Sequence, residues 1–97
     1  MTTNYTKGAS LERNIVNHFR SKGLLAFRSA GSHSPVDVVG FTGSFMYLIQ
    51  SKKFKMGSKR RAKELDKIAI KEGYYYIKPI VLAGSWKEIR EVLERIV

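Results

Sequence analysis

The chain predicts a single α/β domain with the element order α-β-β-β-α-β-α, and three observations carry that prediction. Leu11, Ile15 and Phe19 recur at helical spacing, with Val16 widening the stripe and Gly23 placed as a stop. Short runs rich in β-branched and aromatic residues follow, each closed by turn formers, and the run from Phe45 to Lys52 is almost continuously apolar. Finally, Ser85-Trp86-Lys87-Glu88 has the spacing of a capping box and leads into Ile89, Val92, Leu93 and Ile96, the buried stripe of a last helix. Ninety-seven residues suffice for one such domain, burying about two thirds of the unfolded surface.

Taken in order, residues 1–6 are polar and aperiodic and read as a flexible arm. The first helix runs from Gly8 to Lys22. Leu24 to Arg28 is a short strand, and the turn formers Ser29-Ala30-Gly31-Ser32-His33-Ser34-Pro35 make the loop behind it. A second strand spans Val36 to Phe41 and ends at Thr42-Gly43; the third spans Phe45 to Lys52, its apolar run indicating burial on both faces at the sheet centre. The second helix carries Leu65, Ile68 and Ala69 on its apolar side and stops at Gly73. Pro79 to Ala83 is a strand that begins with proline, a tolerated place for a residue without an N–H. Neither an internal repeat nor a low-complexity segment occurs.

Composition narrows the chemistry. Without cysteine there are no disulfides, thiolate metal ligands or cysteine nucleophiles. No apolar run approaches the roughly 18 residues of a membrane span and the N-terminus lacks a signal-like stretch, so a soluble, intracellular, cytoplasmic protein is expected. Eighteen basic against eight acidic residues give a formal charge of +10, which calls for a polyanionic partner. Nucleic acid is favoured over membrane, because the basic residues are spread from Lys7 to Lys63 over every kind of element instead of lining one amphipathic helix. Between Lys53 and Lys63 the cations Lys53, Lys55, Lys59, Arg60, Arg61 and Lys63 have no acid among them, as a phosphate-binding segment requires.

Within the first sixty-three residues only Glu12 and Asp37 are acidic. A surface made only to hold phosphate has no use for lone carboxylates, which repel it; a divalent cation bridging acid to phosphate accounts for them. Strand alternation puts Asp37, Val39 and Phe41 on one face, and Met46, Leu48, Gln50 and Lys52 on one face of the next strand. If the two strands form a hairpin, Asp37 lies beside Gln50 and Lys52, and Glu12, one turn into the first helix, leans over the same edge. Oxygens of Asp37, Gln50 and Glu12 would then hold Mg²⁺, or Mn²⁺ as a substitute, since the donors are hard and no thiolate competes. Lys52 would stabilise the charge of a cleaving phosphodiester. These features point to a DNA-acting nuclease.

The residues Lys7-Gly8-Ala9 with Glu12, then Arg28-Ser29-Ala30-Gly31-Ser32, Pro35-Val36-Asp37-Val38-Val39 and Gln50-Ser51-Lys52 resemble the motif series of archaeal Holliday-junction resolvases, members of the PD-(D/E)xK nuclease superfamily. The resemblance spans roughly residues 5–83. It implies a restriction-endonuclease-like core, a mixed central sheet flanked by helices, Mg²⁺-dependent cleavage of four-way junctions, and a homodimer presenting two active sites to opposed strands. By position it makes Glu12, Asp37 and Lys52 catalytic, Ser32 a loop residue near the scissile phosphate and Lys7 a phosphate contact. Arg13 and Arg28 join the basic run as DNA contacts. Gln50 departs from the pattern by standing where glutamate is expected; this removes one charge from the metal site and weakens its expected affinity, although glutamine here resembles the variant of Mrr-like restriction nucleases. The C-terminal helix is a second departure, replacing a strand-rich end.

Other residues read more plainly. His33 sits in a Ser/Gly loop as a solvated group or phosphate contact, and His18 beside Phe19 is structural. Tyr74-Tyr75-Tyr76 at a helix–strand junction is expected on the core or in a dimer contact rather than stacked on bases. Two further functions stay open: a restriction-like nuclease acting on linear duplex, and a module of the same fold that binds nucleic acid without cutting it.

Overall fold

A computed structural model of the chain describes residues 4–29, 34–68 and 75–97, with side chains from Ser10 onward. Its elements are α1 (Asn4–Ser21), β1 (Ala26–Arg28), β2 (Val38–Phe41), β3 (Met46–Lys52), α2 (Ser58–Ile68), β4 (Ile77–Ala83) and α3 (Trp86–Ile96), which is the order read from the sequence. They build one four-stranded mixed sheet in the order β1-β2-β3-β4: β1, β2 and β3 run antiparallel to their neighbours, while β4 joins β3 in parallel after the α2 crossover. Such a connection needs a helix, because a hairpin cannot bring two parallel strands together.

The helix α1 begins at Asn4, so residues 4–6, expected in a flexible arm, form its first turn, while residues 1–3 lie outside the described ones. Nothing in that turn breaks a helix. Gly8 is tolerated inside because its penalty, about 1 kcal/mol against alanine, is spread over an 18-residue helix. At the other end Gly23 takes φ 76°, its N–H donates to the Arg20 carbonyl and the Leu24 N–H to that of Phe19, the two bonds of a Schellman stop. The expected stripe packs as read: Leu11, Ile15, Val16 and Phe19 are all buried.

They meet Ala26, Val38, Tyr47, Ile49 and Leu82 from the sheet and Ile89 and Leu93 from α3, so α1 and α3 share one core on one sheet face. Contact is closest at Gly40, where a Cβ would lie 2.5 Å from Cζ of Phe19. The other face of β3 and β4 is covered by α2 through Ile68 and through Arg61, whose Nη1 donates to the Val81 carbonyl at 3.1 Å. β3 is thus central, as its apolar run indicated. On α3 the capping box is present in full, Ser85 accepting from the Glu88 N–H and the Glu88 carboxylate from the Ser85 N–H, which holds that carboxyl below the usual range together with its bond to the Ser85 hydroxyl.

Boundaries differ where pairing frays. Strands β1 and β2 are two residues shorter at their starts than expected, yet ladder-like bonds continue past them: Phe41 N–H to Leu25 O, Asp37 N–H to Ile49 O and Ser29 N–H to Asp37 O. β4 starts two residues before Pro79, and proline is accommodated inside it because β4 is an edge strand. Val92, read as part of the buried stripe of α3, is 39% exposed, since α3 turns only Ile89 and Leu93 fully inward. Tyr75 is 83% exposed and stacks edge-on against Tyr76, so neither ring joins the core: they belong to a turn outside both packed faces. Tyr74, Ala69 and the expected helix stop at Gly73 lie outside the described residues. Among the described residues no helix is long and apolar enough to cross a membrane.

Candidate nuclease site

The site lies where β2 begins and β3 ends. Val38 pairs with Ile49, and the Asp37 N–H also bonds the Ile49 carbonyl, at 2.8 Å, so Asp37 enters the sheet beside the Ile49–Ser51 stretch of β3 instead of continuing the register to Gln50. Val38 and Ile49 are fully buried in the α1 core, and Gln50, the next residue of β3, alternates to the opposite face. Asp37 is locked in place. Its main chain bonds both flanking strands, and its Oδ2 accepts from the Ser51 N–H at 2.8 Å and from the Ser51 hydroxyl at 3.4 Å. The residue between Gln50 and Lys52 thus acts as the clamp on the acid, a role its place in the pattern would have allowed one to infer.

A cavity of about 480 Å³ opens beside this clamp, lined by Leu11, Glu12, Asp37, Ser51, Lys52, Lys53 and Phe54. It brings together Glu12, Asp37 and Lys52 from three separated stretches of chain. Glu12 reaches it from α1, its Oε2 accepting from Nε of Arg28 at 2.9 Å. This ion pair leaves Glu12 the more covered partner, its side chain 20% exposed against 38% for Arg28. Phe54, 48% exposed, closes the outer wall with the Arg60 guanidinium 5.1 Å from its ring centre, a cation–π contact that composition does not signal.

Gln50, expected in the same site, is not among the residues that line the cavity. It is 5% exposed, the only polar residue of the described ones that is fully buried, and its Oε1 has no hydrogen-bond donor. A buried acceptor left without a donor costs about 1–3 kcal/mol and asks for a reason. The Gln50 amide oxygen and the Asp37 carboxylate are hard donors of the kind a divalent cation takes. Glu12 contributes no free oxygen pair to that set while Arg28 holds it, and among the described residues no group of three or more His, Cys, Asp or Glu is arranged around a common metal position.

The basic residues divide into two sets. Lys53 lines the cavity, while Lys59, Arg60 and Lys63 border a second hollow along α2 together with Glu64 and Lys67. Arg13 is exposed on α1. Lys55 is exposed and weakly tied to Glu88 at 3.7 Å. Arg61 is different: it clasps α2 to β4 through the Val81 carbonyl, a structural use that leaves less of it for phosphate. The Lys7 side chain, Ser32 and His33 lie outside the described residues. His18 sits away from the cavity, half-buried with Nε2 unpartnered.

No curated protein matches the chain. A family model for archaeal Holliday junction resolvases matches residues 3–72. That span holds Glu12, Arg28, Asp37, Gln50 and Lys52 and stops before β4 and α3, the C-terminal part where the sequence departs from the pattern. With more than half of its length matched and Glu12, Asp37 and Lys52 lining one cavity, the chain belongs to the archaeal Holliday junction resolvase family.

Proposed function

We propose that the protein is a divalent-cation-dependent endonuclease that resolves four-way DNA junctions. One observation carries the reading: Glu12, Asp37 and Lys52, from three separate stretches of chain, line one cavity, and Gln50, two residues before Lys52 on β3, holds a buried amide oxygen without a donor. Family membership supports the nuclease role and the junction substrate. Asp37 and Gln50 are the residues that would hold Mg²⁺, or Mn²⁺ in its place. Bound there, the cation supplies Lewis-acid polarisation of a phosphoryl oxygen and a water of lowered pKa.

The chain's own groups account for the rest. Lys52 sets a compact ammonium beside the phosphorus, where negative charge grows during cleavage. The Ser51 clamp keeps the Asp37 carboxylate from rotating. Arg28, steered by Glu12, turns its Nη groups toward the phosphate backbone, and Lys53 with the α2 cations Lys59, Arg60 and Lys63 extends the grip along the strand. Two opposed strands must be cut, which a homodimer with two such sites accomplishes.

Junction DNA with labelled arms tests this. Paired symmetric nicks are expected, lost with EDTA and with Asp37→Ala while junction binding persists; cleavage untouched by Asp37→Ala refutes the assignment. Flap and linear duplex substrates run beside the junction separate a resolvase from a restriction-like nuclease. Sedimentation equilibrium reads the dimer. A second reading rests on Gln50 itself, whose neutral side chain lowers the charge available to a cation: a module that binds junctions without cutting would show no nicks and a junction affinity indifferent to Mn²⁺.

A further inference from the structure

Of the aromatic rings that stand exposed among the described residues, those of Phe27, Phe54, Tyr75 and Tyr76, only Phe54 lines the cavity that holds Asp37 and Lys52. A single exposed phenyl ring is ordinary on a protein surface, but the setting of this one is not. It stands between Lys53 and Lys55, in a stretch from Lys52 to Lys63 that contains no acid, and the Arg60 guanidinium lies over its face 5.1 Å from the ring centre. A ring set among cations at the edge of a groove is the arrangement that holds unpaired nucleotides: a base stacks on the ring while the cations take the phosphates beside it.

The ring is also presented firmly. Residues 53–57 form a short link between β3 and α2 that is tied at both ends: the Gly84 N–H donates to the Lys52 carbonyl at 3.0 Å, and the Arg61 N–H to the Gly57 carbonyl at 2.9 Å. With Arg60 on one face of the ring and the link fixed, a partner that covers the remaining surface orders little that is not already ordered.

That partner is a base free to leave its neighbours. In a linear duplex every base is stacked on both sides, and bringing one onto the ring costs unstacking and unpairing. At the point of strand exchange in a four-way junction the flanking bases lack a continuous stack on one side, so the same movement costs less. Resting on the reading of the cavity as the place where a strand is cut, we propose that Phe54 is a specificity-determining residue for branched DNA. Its ring, backed by Arg60, stacks on a base released at the branch point and so holds the adjoining phosphate at the cavity of Asp37 and Lys52.

Binding and cross-linking in EDTA, where no cleavage is expected, test this separately from catalysis. 5-Iodouracil, placed in turn at each position flanking the branch point, couples under long-wavelength light to an aromatic ring stacked on it; mass spectrometry then identifies the residue. An adduct on Phe54 is expected with the junction, and its absence, or an equal yield from linear duplex of the same sequence, overturns the proposal. Phe54→Leu keeps apolar bulk without the π face and is expected to lower the preference for junction over linear duplex by about tenfold, the scale of one lost stack. Phe54→Trp is expected to retain that preference. Equal loss on both DNAs in Phe54→Leu, as a misfolded link would give, or a Phe54→Trp protein that behaves like Phe54→Leu, overturns the proposal as well. A Phe54 adduct in a protein that never nicks junctions with Mg²⁺ upholds the stacking role and removes the nuclease reading alone.

Discussion

Gly40 carries no chemistry, yet its replacement by alanine is among the most informative changes available. The new Cβ would stand 2.5, 2.6 and 2.9 Å from Cζ, Cε1 and Cε2 of Phe19, where ordinary contact needs 3.4–4 Å. Relief requires a displacement of about 1 Å, because the gap must open from 2.5 Å to ordinary van der Waals contact. The ring cannot supply it cheaply, being fully buried and packed with Tyr47 at a centroid separation of 6.4 Å. The strain is therefore shared with β2, three residues from Asp37. Overpacking of this kind destabilises by about 1–3 kcal/mol, and for a domain of this size each kcal/mol lowers the melting temperature by about 4–8 °C. Gly40→Ala is expected near the upper end, roughly 2–3 kcal/mol. Urea and thermal unfolding of Gly40→Ala, Phe19→Leu and the double variant measure it, with a favourable coupling of about 1 kcal/mol in the double because the smaller side chain vacates the clash. An unchanged melting temperature in Gly40→Ala, or strict additivity in the cycle, refutes the packing argument.

Three further outcomes follow from the same geometry. Asp37→Asn keeps an acceptor for the Ser51 N–H but presents NH₂ where the free carboxylate oxygen stood, so unfolding should change by about 1 kcal/mol or less while calorimetric Mn²⁺ binding disappears and junction affinity rises in the absence of metal; tight Mn²⁺ binding by the variant contradicts the assignment. Junction affinity should fall with salt at a logarithmic slope of roughly −0.9 per phosphate neutralised, and converting Lys59, Arg60 and Lys63 to glutamine should flatten that slope by about three such steps; an unchanged slope removes the α2 flank from the interface. His18 is held below its ordinary pKa by burial and then by Lys22, with Arg90 adding and Glu94 opposing, so folding excludes its proton. Its contribution is present above the unfolded pKa near 6.5 and declines as the pH falls through that value toward the lowered one, and His18→Gln should remove this part of the acid sensitivity in melting curves.

Much of this molecule could be read from its residues because the local signals agree with the packed result. The stripe through Leu11, Ile15 and Phe19, the Gly23 stop and the Ser85–Glu88 box each specify a local geometry that the tertiary structure leaves intact. The pairing of β2 with β3 was legible because strand alternation and a short hairpin leave only one register that buries Val38 and Ile49. What escaped reading depends on long-range placement. The partner of Arg61 is a carbonyl twenty residues on, and the exposure of the tyrosine pair reflects a turn that no packed face reaches. The ion pair of Glu12 with Arg28 is of the same kind: sequence marks both residues as functional, and only the fold shows that they meet.

That pairing bears on how metal and DNA would act on each other. The cavity collects Lys52 and Lys53 around Asp37, and Glu12 is held by Arg28, so the free protein offers a cation little uncompensated negative charge. A scissile phosphate changes the balance in two ways: it brings its own negative charge to the Asp37 side, and it competes with Glu12 for Arg28. Either effect raises cation affinity, and linkage requires that the cation raise phosphate affinity by the same factor. Mn²⁺ should therefore bind the junction complex more tightly than the free protein, and Arg28→Ala, by releasing Glu12 in advance, should tighten Mn²⁺ binding to the free protein while shrinking the difference between the two states. Calorimetric titration with and without uncleavable phosphorothioate junction DNA reads both numbers. Equal Mn²⁺ affinities in the two states would mean that acid and phosphate do not share an ion, and Asp37, Gln50 and Glu12 would lose their roles as cation-site residues together.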